Sequence, residues 1–396
     1  MSADHRQAGE PRPAGTRRRR VPLLLFAAAA FWVASPSGAG AQLLVGVQDD
    51  PVFVRLPSAY GGLEARGVIS AQLGFKRLSQ LGANVLRIAV NWSAVERRRP
   101  RSAEDWSHYD AAVAAATHAG LTVQLVLAGP APAFATANHR VGVYRPSASA
   151  FARFAGAAAR RYRRQVSTYS IWNEPNWWSS LKPNPLAPML YRNLYRAGYA
   201  AIRHADPEAQ VLIGELAPLG YGGAAIAPLR FLRELACRTA SLRPWGHCQR
   251  LVADGFAIHP YTLRWPPTYP GKGDDATTGS LPRLVHVLQE LARLGALSTR
   301  GGTPPPLYLT EYGWSPKYVA SETRRAAMAK AGFGIVAREP QVREIVWYQL
   351  AAPPAHNPPL WNTALLTRGG QPTRVFDALR SWIVAASAAS STSARR

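Results

Sequence analysis

The chain has 396 residues, of which 47% are hydrophobic and 18% charged, with a net charge of +24. That balance excludes a disordered chain, and the absence of heptads, repeats or a cysteine framework excludes fibrous, solenoid and disulfide-scaffold classes. A lone apolar stretch near the N-terminus excludes a polytopic membrane protein.

The charge is dispersed. Of the 47 basic residues 42 are arginines, and many fall singly on predicted helix surfaces, as do Arg153, Arg192, Arg203 and Arg233. A solvated basic surface fits this pattern better than a phosphate footprint, so no nucleic-acid partner is expected. An anionic polysaccharide, or attachment to a cell surface by charge, stays open.

In chain order, Arg17–Arg20, the apolar stretch Val21–Val33 and Ala39-Gly40-Ala41 read as the three parts of a secretory signal over residues 1–41. Cleavage after Ala41 predicts a secreted or cell-surface protein without stable membrane insertion. An uncleaved N-terminal anchor is the alternative, although the stretch is short for a bilayer.

Eight apolar runs follow: Leu43–Val47, Asn84–Val90, Thr122–Leu127, Thr168–Trp172, Gln210–Ile213, Gly255–Ile258, Leu307–Thr310 and Ile345–Leu350. Continuous rather than alternating apolarity predicts parallel strands buried on both faces. Amphipathic helices lie between them. Ser107 is placed to cap one that stops at Gly120, and Ser147 to cap another with Phe151, Phe154 and Ala158 on one face. Val375, Leu379 and Trp382 mark a closing helix. Eight such units predict an α/β fold, a single (β/α)8 TIM barrel over residues 42–385. No G-x-G-x-x-G follows the first strand, which argues against a dinucleotide fold. The Ala- and Ser-rich residues 386–396 are expected to be a disordered tail. Cys237 and Cys248, the only cysteines, are expected to form one disulfide in an exported chain.

In such a barrel the reactive groups sit where strands end. The fourth run ends Ile171-Trp172-Asn173-Glu174-Pro175-Asn176-Trp177-Trp178, and the seventh ends Leu309-Thr310-Glu311-Tyr312-Gly313-Trp314. Each sets one carboxylate at the rim beside aromatics. Two facing carboxylates suit glycosidic-bond cleavage, one as proton donor and one against the developing positive carbon.

The context Asn173-Glu174-Pro175 at the fourth strand, with Glu311 at the seventh, resembles the retaining glycoside hydrolases of clan A. Trp172–Asn176 looks most like family 39, and the whole also resembles the cellulase-like family 5. A third strand ending Ala128-Gly129-Pro130, without a histidine, departs from family 5. The resemblance implies hydrolysis of β-glycosidic bonds of a polysaccharide or oligosaccharide, with Glu174 as acid/base, Glu311 as nucleophile and Asn173 on the sugar 2-hydroxyl. It implies neither metal nor cofactor.

Other strand ends match the clan one residue at a time. Arg87 resembles its buried arginine beside the nucleophile. His259 and Tyr261 resemble its His-x-Tyr, and Trp347 its platform under the sugar, with a core role open for His259 and Trp347. Asn91 and Trp92 are candidates for a sugar subsite, and Trp177 and Trp314 for cleft walls. Glu215 is a third rim carboxylate, expected to be structural. The alternatives to a hydrolase are a non-catalytic carbohydrate-binding barrel and a basic polyanion-binding surface protein.

Overall fold

A computed structural model describes residues 43–56, 69–97, 104–354 and 361–393. The expected signal segment lies outside the described residues. Among the described residues the strands are β1 (Leu44–Gln48), β2 (Val85–Asn91), β3 (Thr122–Ala128), β4 (Val166–Ile171), β5 (Gln210–Leu216), β6 (Leu251–Val252), β7 (Gly255–Ile258), β8 (Leu297–Ser298), β9 (Leu307–Tyr312) and β10 (Val342–Tyr348). β6 and β8 pair only with each other. The other eight coincide with the eight apolar runs and close a barrel in the order β1-β10-β9-β7-β5-β4-β3-β2, every pair parallel. Parallel neighbours need long crossovers, and helices supply them. The fold is the predicted (β/α)8 barrel.

The helices are α1 (Asp50–Phe53), α2 (Ala71–Leu81), α3 (Trp92–Val95), α4 (Ser107–His118), α5 (Ala148–Arg161), α6 (Ala187–Ala205), α7 (Pro228–Leu235), α8 (Leu281–Arg293), α9 (Glu322–Val336) and α10 (Arg374–Ser393). Ser147 caps α5, its hydroxyl accepting from the Ala150 amide at 3.3 Å. Ser107 does not cap α4: it is the first helical residue, and its hydroxyl donates instead to Asp105 at 2.7 Å. Helix α10 runs through Ser393, past the Ala386 boundary set for a loose tail.

The helix layer buries an aromatic seam. Phe151 and Phe154 of α5 meet Trp92, with Phe154 stacked on it at 5.5 Å and on Trp106 at 5.8 Å. Each fully buried ring of this size contributes roughly 1.5–3 kcal/mol. Cys237, just beyond the end of α7, is bonded to Cys248, with the Cα atoms 6.2 Å apart. Helices run antiparallel to the strands, so this staple sits at the barrel end where strands begin, away from the rim.

The barrel interior is unusually polar. Arg87 of β2, Gln124 of β3, Ser170 of β4, Glu215 of β5, Thr310 of β9 and Glu344 of β10 are all buried. Among them Arg87, Glu215 and Thr310 are linked by hydrogen bonds and form the floor of the site at the strand ends.

Candidate active site

Two local devices aim the rim carboxylates. After β4 the chain turns sharply, with Trp172 at φ 63° and Glu174 at φ 45°. Left-handed backbone costs a non-glycine residue about 1–2 kcal/mol, and here hydrogen bonds enforce it. The Glu174 amide donates to the Glu215 carbonyl at 2.8 Å. Trp172 Nε1 donates to the Ser180 carbonyl at 2.7 Å. Asn176 clamps the turn to the loop after β5. Its Nδ2 donates to the carbonyls of Ala217 and Ile226, and its Oδ1 accepts from the Ala217 amide.

The second device is a bulge in β9. Leu309 pairs with Ile345 and Tyr312 with Trp347, so Thr310 and Glu311 together face the single residue Val346. A bulge re-aims a side chain that strict alternation would turn outward. Thr310 and Glu311 consequently both reach interior partners. A similar irregularity between Gly214 and Leu216 in β5 sends Glu215 inward, at φ 51°.

Arg87 and His259 tie the carboxylates together. One Arg87 nitrogen donates to Glu311 Oε1 at 3.0 Å and also to Gln48. The other donates to Asn173 Oδ1 at 3.0 Å and to Glu215 Oε2 at 2.9 Å. His259 Nδ1 lies 3.0 Å from Glu174 Oε1, and its Nε2 lies 2.8 Å from Glu215 Oε2. Tyr261 donates its hydroxyl to Glu311 Oε2 at 3.2 Å. One donor atom each of Glu174, His259 and Glu311 lies within 4.8 Å of the others.

Burial pushes the Glu215 carboxyl up, but Arg87 and His259 outweigh it and hold it at about 2. Burial likewise opposes a charged His259, yet Glu311, Glu174 and Glu215 lift it to about 10. Both ring nitrogens of His259 are thus committed, Nδ1 to Glu174 and Nε2 to Glu215. Glu215, the third carboxylate of the sequence pattern, is therefore the fixed anion that anchors both cations.

Two cavities meet at Glu311. One of about 520 Å³ is walled by Trp177, Tyr221, Tyr261, Tyr318, Tyr348 and Trp361, and holds Glu174, Glu311, Asn173 and Arg264. The other, about 360 Å³, is lined by Gln48, Asp50, Trp172, Ser179, Ser180 and Pro130 among others, and shares Asn173, Glu311 and Tyr348 with the first. Asp50 accepts from the Ala89 amide at 2.8 Å and from Gln48 Nε2 at 2.7 Å. Burial lifts it to about 6, against the pull of those bonds.

Of the predicted site residues, Glu174, Glu311, Asn173, Arg87, His259 and Tyr261 converge in one network, and Trp177 lines the larger cavity. Four others lie elsewhere. Trp347 is buried in the layer between barrel and helices, against Phe333, Tyr312 and Trp314, and its Nε1 donates to the Thr363 carbonyl at 2.7 Å. The next residue, Tyr348, faces the cavities, because side chains alternate along a strand. Trp314 is also core, donating to Thr262 at 3.1 Å. Trp92 is buried in the aromatic seam and donates to Glu96 at 2.9 Å. Asn91 caps α3, accepting from the Ala94 amide at 3.1 Å. Gln48, Asp50, Tyr348, Trp361 and Arg264 escaped the sequence reading. For Tyr348 the signal was there, since the odd and even residues of β10 must face opposite ways.

No family model matches the chain, and no curated protein matches it either. Solved structures do. A family 39 glycoside hydrolase from the gut symbiont Bacteroides cellulosilyticus superimposes with a TM-score of 0.63 at 18% identity, over 87% of this chain and 64% of that one. A family 5 glycoside hydrolase from Streptomyces cattleya, in complex with GlcNAc, gives 0.59 at 16% identity, over 88% and 81%. A family 39 β-xylosidase from Caulobacter crescentus gives 0.55 at 16% identity, over 87% and 71%. The chain thus spans less than two thirds of the length of the first. At these identities the likeness is one of fold: the chain is a (β/α)8 barrel of the form found in family 39 and family 5 glycoside hydrolases.

Proposed function

We propose that the protein is a retaining glycoside hydrolase acting on β-linked carbohydrate, exported by its N-terminal segment. The observation that carries this reading is the placement of Glu174 and Glu311. They come from opposite walls of one barrel mouth, and one oxygen of each lies within 4.8 Å of the other. Retaining enzymes hold their carboxyls about 5–5.5 Å apart, whereas inverting ones leave about 6.5–9.5 Å for a water.

The roles follow from the contacts. Glu311 is held on both oxygens, by Arg87 on Oε1 and by Tyr261 on Oε2, as suits a nucleophile that must attack along one line. It attacks the anomeric carbon while Glu174 gives a proton to the departing oxygen. The bond to the leaving group breaks and an ester to Glu311 forms. Glu174, now a carboxylate, takes a proton from water. That water attacks the same carbon, and Glu311 departs with its electron pair. Asn173 Oδ1 is taken by Arg87, so its amide nitrogen is the group turned to the sugar 2-hydroxyl. His259, charged and anchored on Glu215, steadies Glu174 between the two steps. The two carboxylates complete the chemistry without a cofactor.

Azide separates the two roles once an aryl β-glycoside substrate is in hand. Glu311→Ala lacks the nucleophile, so turnover should fall by about 10⁴-fold or more, and azide should give a glycosyl azide of inverted configuration. Glu174→Ala should still form the ester from dinitrophenyl glycosides, show a burst, and give azide product of retained configuration. Exchanged configurations would exchange the roles. Unchanged turnover in both variants would remove the pair from catalysis and favour a carbohydrate-binding barrel.

A further inference from the structure

The two cavities either side of Glu311 differ in charge and in lining. The proton donor must stand beside the departing oxygen. Glu174 lines only the larger cavity, so that cavity holds the leaving group and the smaller one the sugar under attack. This assignment rests on the catalytic reading above.

The charges of the larger cavity do not cancel pairwise. Glu311 has Arg87 behind it and Glu174 has His259. Arg264, on the loop after β7, lines the same cavity and is exposed. Among the described residues no hydrogen bond or ion pair engages its guanidinium. The rings of Trp177, Tyr221 and Trp361 line the same cavity. Flat rings suit the C–H face of a sugar, and a free guanidinium presents a planar fork to a carboxylate or sulfate. Lining the smaller cavity, Asp50 is the one acidic side chain besides the shared Glu311, and among the described residues no cation lines it with them. An anionic sugar is disfavoured there. The chain as a whole is strongly basic, at +24, which raises the local concentration of a polyanion.

We propose that the leaving-group subsite takes an anionic sugar, bearing a carboxylate or a sulfate ester recognised by Arg264, while the sugar under attack is neutral. The substrate is then an acidic glycan cut on the far side of a neutral residue.

Binding tests this without turnover. Glucuronic acid, glucose 6-sulfate and glucose are titrated into the protein at about 0.15 M salt, followed by tryptophan fluorescence, since Trp177 and Trp361 line the subsite. At least one of the anionic sugars should bind about tenfold more tightly than glucose, as a charge-assisted hydrogen bond allows. Whichever is preferred identifies the group. Arg264→Ala should bind all three alike, and Arg264→Lys should keep part of the preference. Equal binding of all three by the wild type, or an undiminished preference in Arg264→Ala, would overturn the proposal. A panel of aryl β-glycosides reports separately on catalysis. Anion preference without any turnover would sink the hydrolase reading and leave the Arg264 site standing.

Discussion

At the scale of single residues, the site is organised around one buried anion. Glu215 is fully buried, and its Oε2 receives Arg87, His259 and Thr310. Of the two cations it anchors, Arg87 reaches Glu311, and His259 reaches Glu174 at 3.0 Å and Glu311 at 3.7 Å. Position along one strand decides the fate of two neighbouring aromatics. Trp347 is 1% exposed and packs outward, whereas Tyr348 faces Glu311 and both cavities. Truncation should separate them. Trp347→Ala leaves a large void and should cost about 3–5 kcal/mol in denaturant unfolding. Tyr348→Ala should lower kcat/KM on an aryl β-glycoside by about tenfold or more, the value of 1.4 kcal/mol of transition-state contact. A stable but inactive Trp347→Ala would restore Trp347 as the sugar platform.

At the scale of elements, irregular strand ends do what regular ones could not. Strict alternation gives one inward residue per two positions, and the bulge in β9 makes Thr310 and Glu311 consecutive inward groups. In β5 the equivalent irregularity depends on Gly214, at φ +118°, where a Cβ would lie 2.3 Å from the Ala257 carbonyl oxygen. Gly214→Ala is therefore strained in backbone and blocked by backbone. It should destabilise the barrel by at least about 2 kcal/mol, and by displacing Glu215 it should also depress turnover. Thermal melting and kcat on one preparation check both effects, and an unchanged variant would show that β5 tolerates a regular register. Removing the Cys237–Cys248 bond should act differently, because it sits at the far end of the barrel. A cost of about 2–3 kcal/mol in stability is expected with kcat/KM intact.

For the whole molecule, buried titrations set the pH at which the barrel holds best. His259 is raised from an ordinary 6.5 to about 10, so its stabilisation is complete below pH 6.5 and is lost as pH rises towards 10. Burial raises Asp49 from 3.8 to about 7, and Glu344 from 4.5 to about 8. Each binds its proton more tightly folded than unfolded, so the cost of ionising it also grows with pH. Glu215 works in the opposite sense. Depressed from 4.5 to about 2, it stabilises above pH 4.5, and that contribution is lost as pH falls towards 2. The signs place the stability maximum near pH 5, with unfolding free energy falling from there to pH 9, since each tenfold change in proton affinity on folding is worth about 1.4 kcal/mol. Urea unfolding at pH 5, 7 and 9 measures this, and stability that climbs from pH 5 to 9 would contradict the ion network.

The number and order of the barrel strands were legible in the chain, because a strand buried on both faces must be apolar throughout. So were Glu174 and Glu311, since a carboxylate directly after such a strand stands at the rim. Arg87 was legible for a related reason: a lone charge inside an apolar strand must have a buried partner. What only the tertiary structure decided is which way neighbours point and what they meet. A shift of one residue reverses the face, and bulges shift registers without any mark in the composition. Tyr348 thus displaced Trp347, and Trp92 and Trp314 went to the core. Glu215 found its two cations across the barrel, from residues more than forty positions away. Asp50, just after β1, obeyed the same strand-end rule, whereas Arg264 acquired its place only from the course of the long loop after β7, which no local pattern encodes.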